Sequence, residues 1–271
     1  MKGELEAAVE ALRQAEALVI SAGAGMGVDS GLPDFRGDEG FWKAYPPFAK
    51  LGLRFVELAN PRWFRDDPAL AWGFYGHRKN LYTDVVPHEG FGRLLRFASG
   101  LEHGAFVFTS NVDGQFQKAG FAAERVYECH GSIHHLQCVN PRCGSGIWPS
   151  AERVVVDPET MRAQEPWPRC RCGRVARPNI LMFGDGSWRP ERSDAQEERL
   201  AEWLTDALGS RLVVVELGAG TAVPTVRFFS ERTARRGVLI RVNPREAFGP
   251  AGTLGMSTGA AEGLARLLPD A

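Results

Sequence analysis

The sequence of 271 residues has few cysteines, no excess of either charge and no long apolar run, and each shortage excludes a class of protein. Five cysteines are too few for a disulfide-stapled scaffold and fit a reducing compartment, where they serve as metal ligands or unpaired thiols. A net charge of −1 and a pI of about 6.6 supply no basic surface for nucleic acid. No apolar stretch approaches the ~20 residues needed to cross a bilayer. The N-terminus shows no charged start, apolar core and cleavage site. Tandem repeats and low-complexity tracts are missing too. The expectation is a soluble, cytoplasmic protein without a direct nucleic-acid or membrane partner, long enough for one large domain and a smaller lobe.

What is present is a recurring pairing of apolar strands with polar or glycine-rich turns. Ala17 to Ile20 leads into Gly23-Ala24-Gly25, and the strand Arg211 to Leu217 leads into a second Gly-Ala-Gly at 218–220. The pattern G-x-G-x-x-G would need glycine at 28, where Val28 stands, so the first turn is either a phosphate-binding loop or an ordinary tight turn. Ala105 to Phe108 ends in Thr109-Ser110-Asn111-Val112-Asp113, and Val126 to Cys129 ends in His130-Gly131-Ser132. Residues Asn179 to Phe183 and Val238 to Val242 are further strands. Helices are expected at the N-terminus through Leu5, Ala8, Val9 and Leu12, and from Asp67-Pro68 to about Tyr82. Others are expected over His88 to Ser99, Pro190 to Leu208, through Val226, Phe229 and Thr233, and from about Ala260 to Leu268. Alternating strands and helices predict an α/β fold with a doubly wound, mostly parallel, Rossmann-like sheet. In such sheets ligands bind at the carboxyl ends of the strands, where these polar clusters fall.

Two segments depart from that pattern: residues 38–85, rich in aromatics and prolines, and residues 134–178, with four of the five cysteines and little periodicity. The first reads as a helical insertion and the second as a small module outside the sheet, leaving 1–37, 86–133 and 179–271 for the main domain. Cys138-x4-Cys143 and Cys170-x-Cys172 can offer four thiolates to one tetrahedral Zn²⁺ in a closed, structural site. Cys129 reads as a small buried hydrophobe. His130 is suited to act as a base near neutral pH, although a hydrogen-bonded structural histidine is the commoner reading of such a residue taken alone.

The stretch G-A-G-x-x-x-x-S-G-L-P-D-F-R, residues 23 to 36, resembles the cofactor loop of the sirtuins, which are NAD-dependent protein deacylases. E-C-H-G-S at 128–132 resembles their catalytic E-L-H-G-S, and S-N-V-D at 110–113 their Q-N-I-D. The cysteine pairs, Gly220-Thr221-Ala222, Asn243 and Phe183-Gly184-Asp185 follow in the family's order. The resemblance implies His130 as general base, with Asn111 and Asp113 positioning the nicotinamide-ribose and nicotinamide. It implies cofactor contacts from Gly23, Ala24, Gly25, Asp34, Phe35, Arg36, Ser110, Gly220, Thr221 and Asn243. Phe183 and Gly184 would pair with the backbone of a substrate peptide carrying an acylated lysine. Tyr75 and Arg78, three apart on one helix, resemble the Y-x-x-R of sirtuins that remove succinyl or malonyl groups; a guanidinium and a phenol suit a carboxylate. Gly27, Ser110 and Ala222 replace polar family residues with fewer contacts to offer the cofactor. Two other functions stay open: transfer of ADP-ribose to protein or water from the same pocket, and non-catalytic NAD binding.

Overall fold

The computed structural model describes residues 2–34, 41–43, 45–50 and 52–271. Its main sheet grows from three apolar segments that alternate sides. In β1 (Ala17–Ala22), Leu18, Ile20 and Ala22 point to one face while Ala17 and Val19 point to the other. Strands β2 (Ala105–Thr109) and β7 (Leu212–Leu217) flank it and divide in the same way. With β3 (Val126–Glu128), β8 (Gly237–Val242) and β9 (Leu254–Met256) the order is β3-β2-β1-β7-β8-β9, all neighbours parallel. Both faces need cover, and both receive it. Helices α1 (Lys2–Arg13), α3 (Glu89–Ser99) and α6 (Ala260–Leu267) pack on one side. Helices α4 (Glu191–Asp206) and α5 (Thr225–Thr233) cover the other. The strand order reverses beside β1, so the β1 and β7 turns and the β2 end share one crevice.

A second core lies outside the sheet, and it joins the two insertions. Phe41, Tyr45, Phe48, Phe64 and Trp72 pack with Ile133, Leu136, Val154 and Met161. Helix α2 (Pro68–Asp84) begins where Asp67 accepts the Leu70 N–H, as the Asp-Pro signal implies, and it is buried on most sides. Gly73 and Gly76 open a groove on α2: a Cβ would lie 1.9 Å from the Met161 carbonyl at Gly73 and 2.7 Å from Val154 Cβ at Gly76. The segment 154–161 crosses the helix there.

The cysteine-bearing region is more regular than its sequence implies. Strands β4 (Gly131–Cys138), β5 (Ile147–Pro149) and β6 (Ala176–Ile180) form an antiparallel sheet in the order β5-β4-β6. This corrects two expectations. The module has a sheet, and the strand placed at Asn179 to Phe183 lies earlier, at β6. A register shift between Ser132 and Leu136 breaks the alternation that would have marked β4. In β6 the buried Arg177 disguises the start of the strand as a loop. Strand β3 stops at Glu128, one residue before Cys129, whose thiol is pushed up to about 12 by burial. Among the described residues, no helix is long and apolar enough to cross a membrane.

Candidate active site

The two Gly-Ala-Gly turns meet backbone to backbone. The Gly25 N–H donates to the Gly218 carbonyl and the Gly23 N–H to the Leu217 carbonyl, each at 3.0 Å. A Cβ would lie 2.8 Å from Ala219 Cα at Gly23, 2.7 Å from Gly218 Cα at Gly25, and 2.3 Å from the Gly25 carbonyl carbon at Gly218. Close approach accounts for these three glycines, and at Gly218 a φ of +60° adds to it. Gly220 differs, since a Cβ there would meet only Glu246 Oε2 at an ordinary 3.7 Å. Ala24 opens the 3₁₀ turn Ala24–Ser30.

The end of β2 is laced to the first turn. Thr109 Oγ1 donates to the Ala22 carbonyl at 2.9 Å and accepts the Asn111 N–H at 3.0 Å; Asn111 Nδ2 donates to the Gly23 carbonyl at 3.0 Å. Asp113 is buried, and its Oδ1 accepts the Gln115 N–H at 2.9 Å. Burial pushes its carboxyl up to about 6; the Gln115 bond opposes this, Glu128 adds to it, and Arg78 pulls the other way.

His130 leaves β3 at the same end of the sheet. Burial lowers its pKa, while a hydrogen bond with the Ser110 backbone acts in the opposite direction, so the imidazole is neutral near pH 7 and able to take a proton. Gly131 has φ +80°, and a Cβ there would sit 2.0 Å from the Asn179 carbonyl oxygen, so only glycine lets the chain turn directly into β4. Helix α4 clamps the approach from behind. Arg192 pairs with the buried Glu128, Ser193 Oγ donates to the Glu128 carbonyl at 3.0 Å, and Gln196 Oε1 accepts the Glu128 N–H at 3.1 Å.

On the far side of the crevice, Thr221 is exposed and its hydroxyl donates to Glu246 Oε1 at 2.6 Å. Asn243 is fully buried, with Nδ2 donating to the Ala219 carbonyl at 2.9 Å and Oδ1 accepting the N–H groups of Arg245 and Glu246 at 3.0 Å. Its side chain therefore shapes the second turn from beneath. Asp34 is half-buried, and Phe35 and Arg36 lie outside the described residues.

Tyr75 and Arg78 are both buried on α2. The guanidinium sits 5.2, 5.7 and 5.3 Å from the ring centroids of Phe74, Tyr75 and Tyr82, and its Nε donates to the Tyr82 hydroxyl at 3.0 Å. Phe183 is 40% exposed, edge-on to Phe55 at 6.0 Å, and its N–H donates to the Ala59 carbonyl at 3.0 Å. Gly184 has φ +65°. Asp185 anchors this turn by a buried ion pair with Arg177 at 2.8 Å and by accepting from Ser187.

The four module cysteines converge, with all sulfurs within 4.8 Å of one another. Cys138 and Cys172 Sγ are 3.6 Å apart, and Cys143 and Cys170 Sγ 3.7 Å. Four sulfurs at ~2.3 Å from a tetrahedral zinc would be ~3.8 Å apart, so the donor set fits Zn²⁺. The Asn140 N–H points at Cys138 Sγ at 3.4 Å, as in a metal knuckle. Sequence reasoning missed Tyr82, Glu246 and Thr109. Tyr82 stands four residues after Arg78, a helical spacing that could have flagged it; Thr109 opens the polar cluster at 109–113, whereas Glu246 carries no such signal.

A family model described as the Sir2 family matches residues 23–215. The chain is 32% identical over 243 residues to NAD-dependent protein deacylase 1 of Pseudomonas aeruginosa, spanning 89% of this chain and 88% of that one. It is 29% identical over 252 residues to the mitochondrial NAD-dependent protein deacylase sirtuin-5 of Danio rerio, spanning 87% and 76%. Among solved structures, Sir2 bound to an acetylated peptide superposes with a TM-score of 0.68 at 21% identity, covering 98% of both chains. A Sir2 homologue mutant in complex with ADP ribose gives 0.70 at 23%, covering 97% and 95%.

Proposed function

This chain belongs to the Sir2 family, and from that premise we propose that it is an NAD-dependent protein deacylase acting on acylated lysine side chains. One observation carries the assignment of roles: His130, Ser110, Asn111 and the buried Asp113 gather at the joined ends of β1, β2 and β3, beside the paired glycine turns. NAD, when bound, would supply an electrophilic ribose carbon for the acyl oxygen of the substrate lysine, with nicotinamide as the leaving group. Asn111, fixed by Gly23 and Thr109, orients the ribose. Asp113 accepts from the nicotinamide amide, and its ionised form is the stronger acceptor. His130, neutral near pH 7, would be the base that takes up the proton released in the reaction. Thr221 and Glu246 line the adenosine end. The four cysteines hold zinc away from the chemistry and fix β4, the strand that continues from His130.

The acyl group removed is an acidic one, such as succinyl or malonyl. The support is a buried guanidinium whose Nε is fixed by Tyr82 and whose plane is walled by three aromatic rings. Its charge is also felt at Asp113, which supports a role for the pair beside the residue proposed to meet the nicotinamide. Nicotinamide release from NAD, measured with and without succinyl- and acetyl-lysine peptides, tests the reading. Release that depends on peptide supports deacylation; peptide-independent release would assign the pocket to ADP-ribose transfer or NAD hydrolysis.

A further inference from the structure

A cavity of about 420 Å³ lies between β4 and α4, and none of its lining residues is among those assigned to cofactor, acyl-lysine or zinc. Three of the residues lining it each carry a buried side-chain nitrogen without a hydrogen-bond partner: Arg192 Nη1, Arg199 Nε and His135 Nδ1. A buried guanidinium N–H left unpaired is costly, and two of them beside one cavity, with an imidazole nitrogen that donates in one tautomer, point to a missing acceptor. The rest of the wall is donor-rich as well. Gln196 has its oxygen taken by the Glu128 N–H, and Ser132 Oγ already accepts the His134 N–H at 3.2 Å, which leaves each residue a donor to offer. The charges agree: Glu128 neutralises Arg192, whereas Arg199 makes no ion pair among the described residues, although the exposed Glu124 lines the same cavity.

We propose that this cavity is a binding site for a small oxyanion, a phosphate or a short carboxylate, held by Arg199 and Arg192 with His135. Arginine suits this role because its fork of donors matches two oxygens of either group. The proposal stands apart from the deacylase reading. The site does touch the same machinery, since His134 Nε2 contacts the Asp113 carbonyl at 2.9 Å and Ser132 lies two residues from His130.

The test is isothermal titration of inorganic phosphate and of succinate into the full chain, with the cofactor crevice saturated by ADP-ribose. Arg199→Gln and Arg199→Lys are titrated beside it. At least one anion should bind the native chain, and Arg199→Gln should weaken it roughly tenfold or more, with Arg199→Lys between the two. Tighter binding of phosphate or of succinate decides which oxyanion class the cavity takes. Absence of binding at millimolar concentration overturns the proposal, and so does equal affinity in the glutamine variant, which would put the anion elsewhere.

Discussion

Replacing Asp113 by asparagine should stabilise the protein while disabling it. Asparagine keeps the oxygen that accepts the Gln115 N–H at 2.9 Å and removes the buried charge. The carboxyl titrates at about 6 in the folded chain, mainly because burial disfavours its ionised form, against an ordinary 3.8. The folded state therefore binds this proton more tightly than the unfolded state. Stability from this group is full below pH 4 and is lost as the pH rises through 6. Two pH units at ~1.36 kcal/mol each make the loss ~3 kcal/mol at pH 8, and about half of that is already incurred at pH 5. Urea unfolding of wild type and Asp113→Asn at the two values should show the variant more stable at both, the gap widening by ~1–1.5 kcal/mol from pH 5 to pH 8. Nicotinamide release should fall sharply in the same variant, a trade of activity for stability. A gap independent of pH, or a variant less stable than wild type at pH 8, would refute a carboxyl held ionised against its environment.

Gly218→Ala should destabilise by more than ~2 kcal/mol, because the new methyl meets the Gly25 carbonyl carbon at 2.3 Å on a backbone with φ +60°; thermal denaturation would show it. Metal analysis should find close to one zinc per chain, and Cys143→Ala or Cys170→Ala should lose both the metal and several kcal/mol of folding energy, on the order of half the total. Arg78→Met should turn a preference for succinyl over acetyl peptides of roughly tenfold or more into the reverse, seen in the ratio of kcat/KM values.

The main sheet was legible because its strands are apolar on both faces, and a parallel sheet covered by helices demands that. The strand Leu212–Leu217 nonetheless hides a fully buried Glu216, which the apolar run masked. Its partner is Arg241 on β8, bonded through both oxygens at 2.6 and 2.9 Å. A partner so distant in sequence is not readable from either strand alone. The same physics hid β6. Arg177 is a strand residue whose guanidinium pairs with Asp185, so polarity signalled a loop where pairing had made a strand possible. The site was legible where chemistry requires particular residue types in a fixed local order, as at Glu128 to Ser132. It was less so where function rests on shape. Asn243 reads as a ligand contact, yet its side chain is spent on supporting the second turn. His134 contacts the Asp113 carbonyl, a pairing that no local motif announces.

The central claim is that the acyl group leaves lysine for the ADP-ribose released from NAD, with His130 as the base. The direct measurement is mass spectrometry of the products from NAD and a succinyl-lysine peptide, with wild type and His130→Ala side by side. Wild type should yield free lysine peptide, nicotinamide and ADP-ribose heavier by one succinyl group. His130→Ala should lower the yield by ~10²–10⁴-fold while still binding NAD. Plain ADP-ribose with an untouched peptide, or an alanine variant as active as wild type, would contradict it.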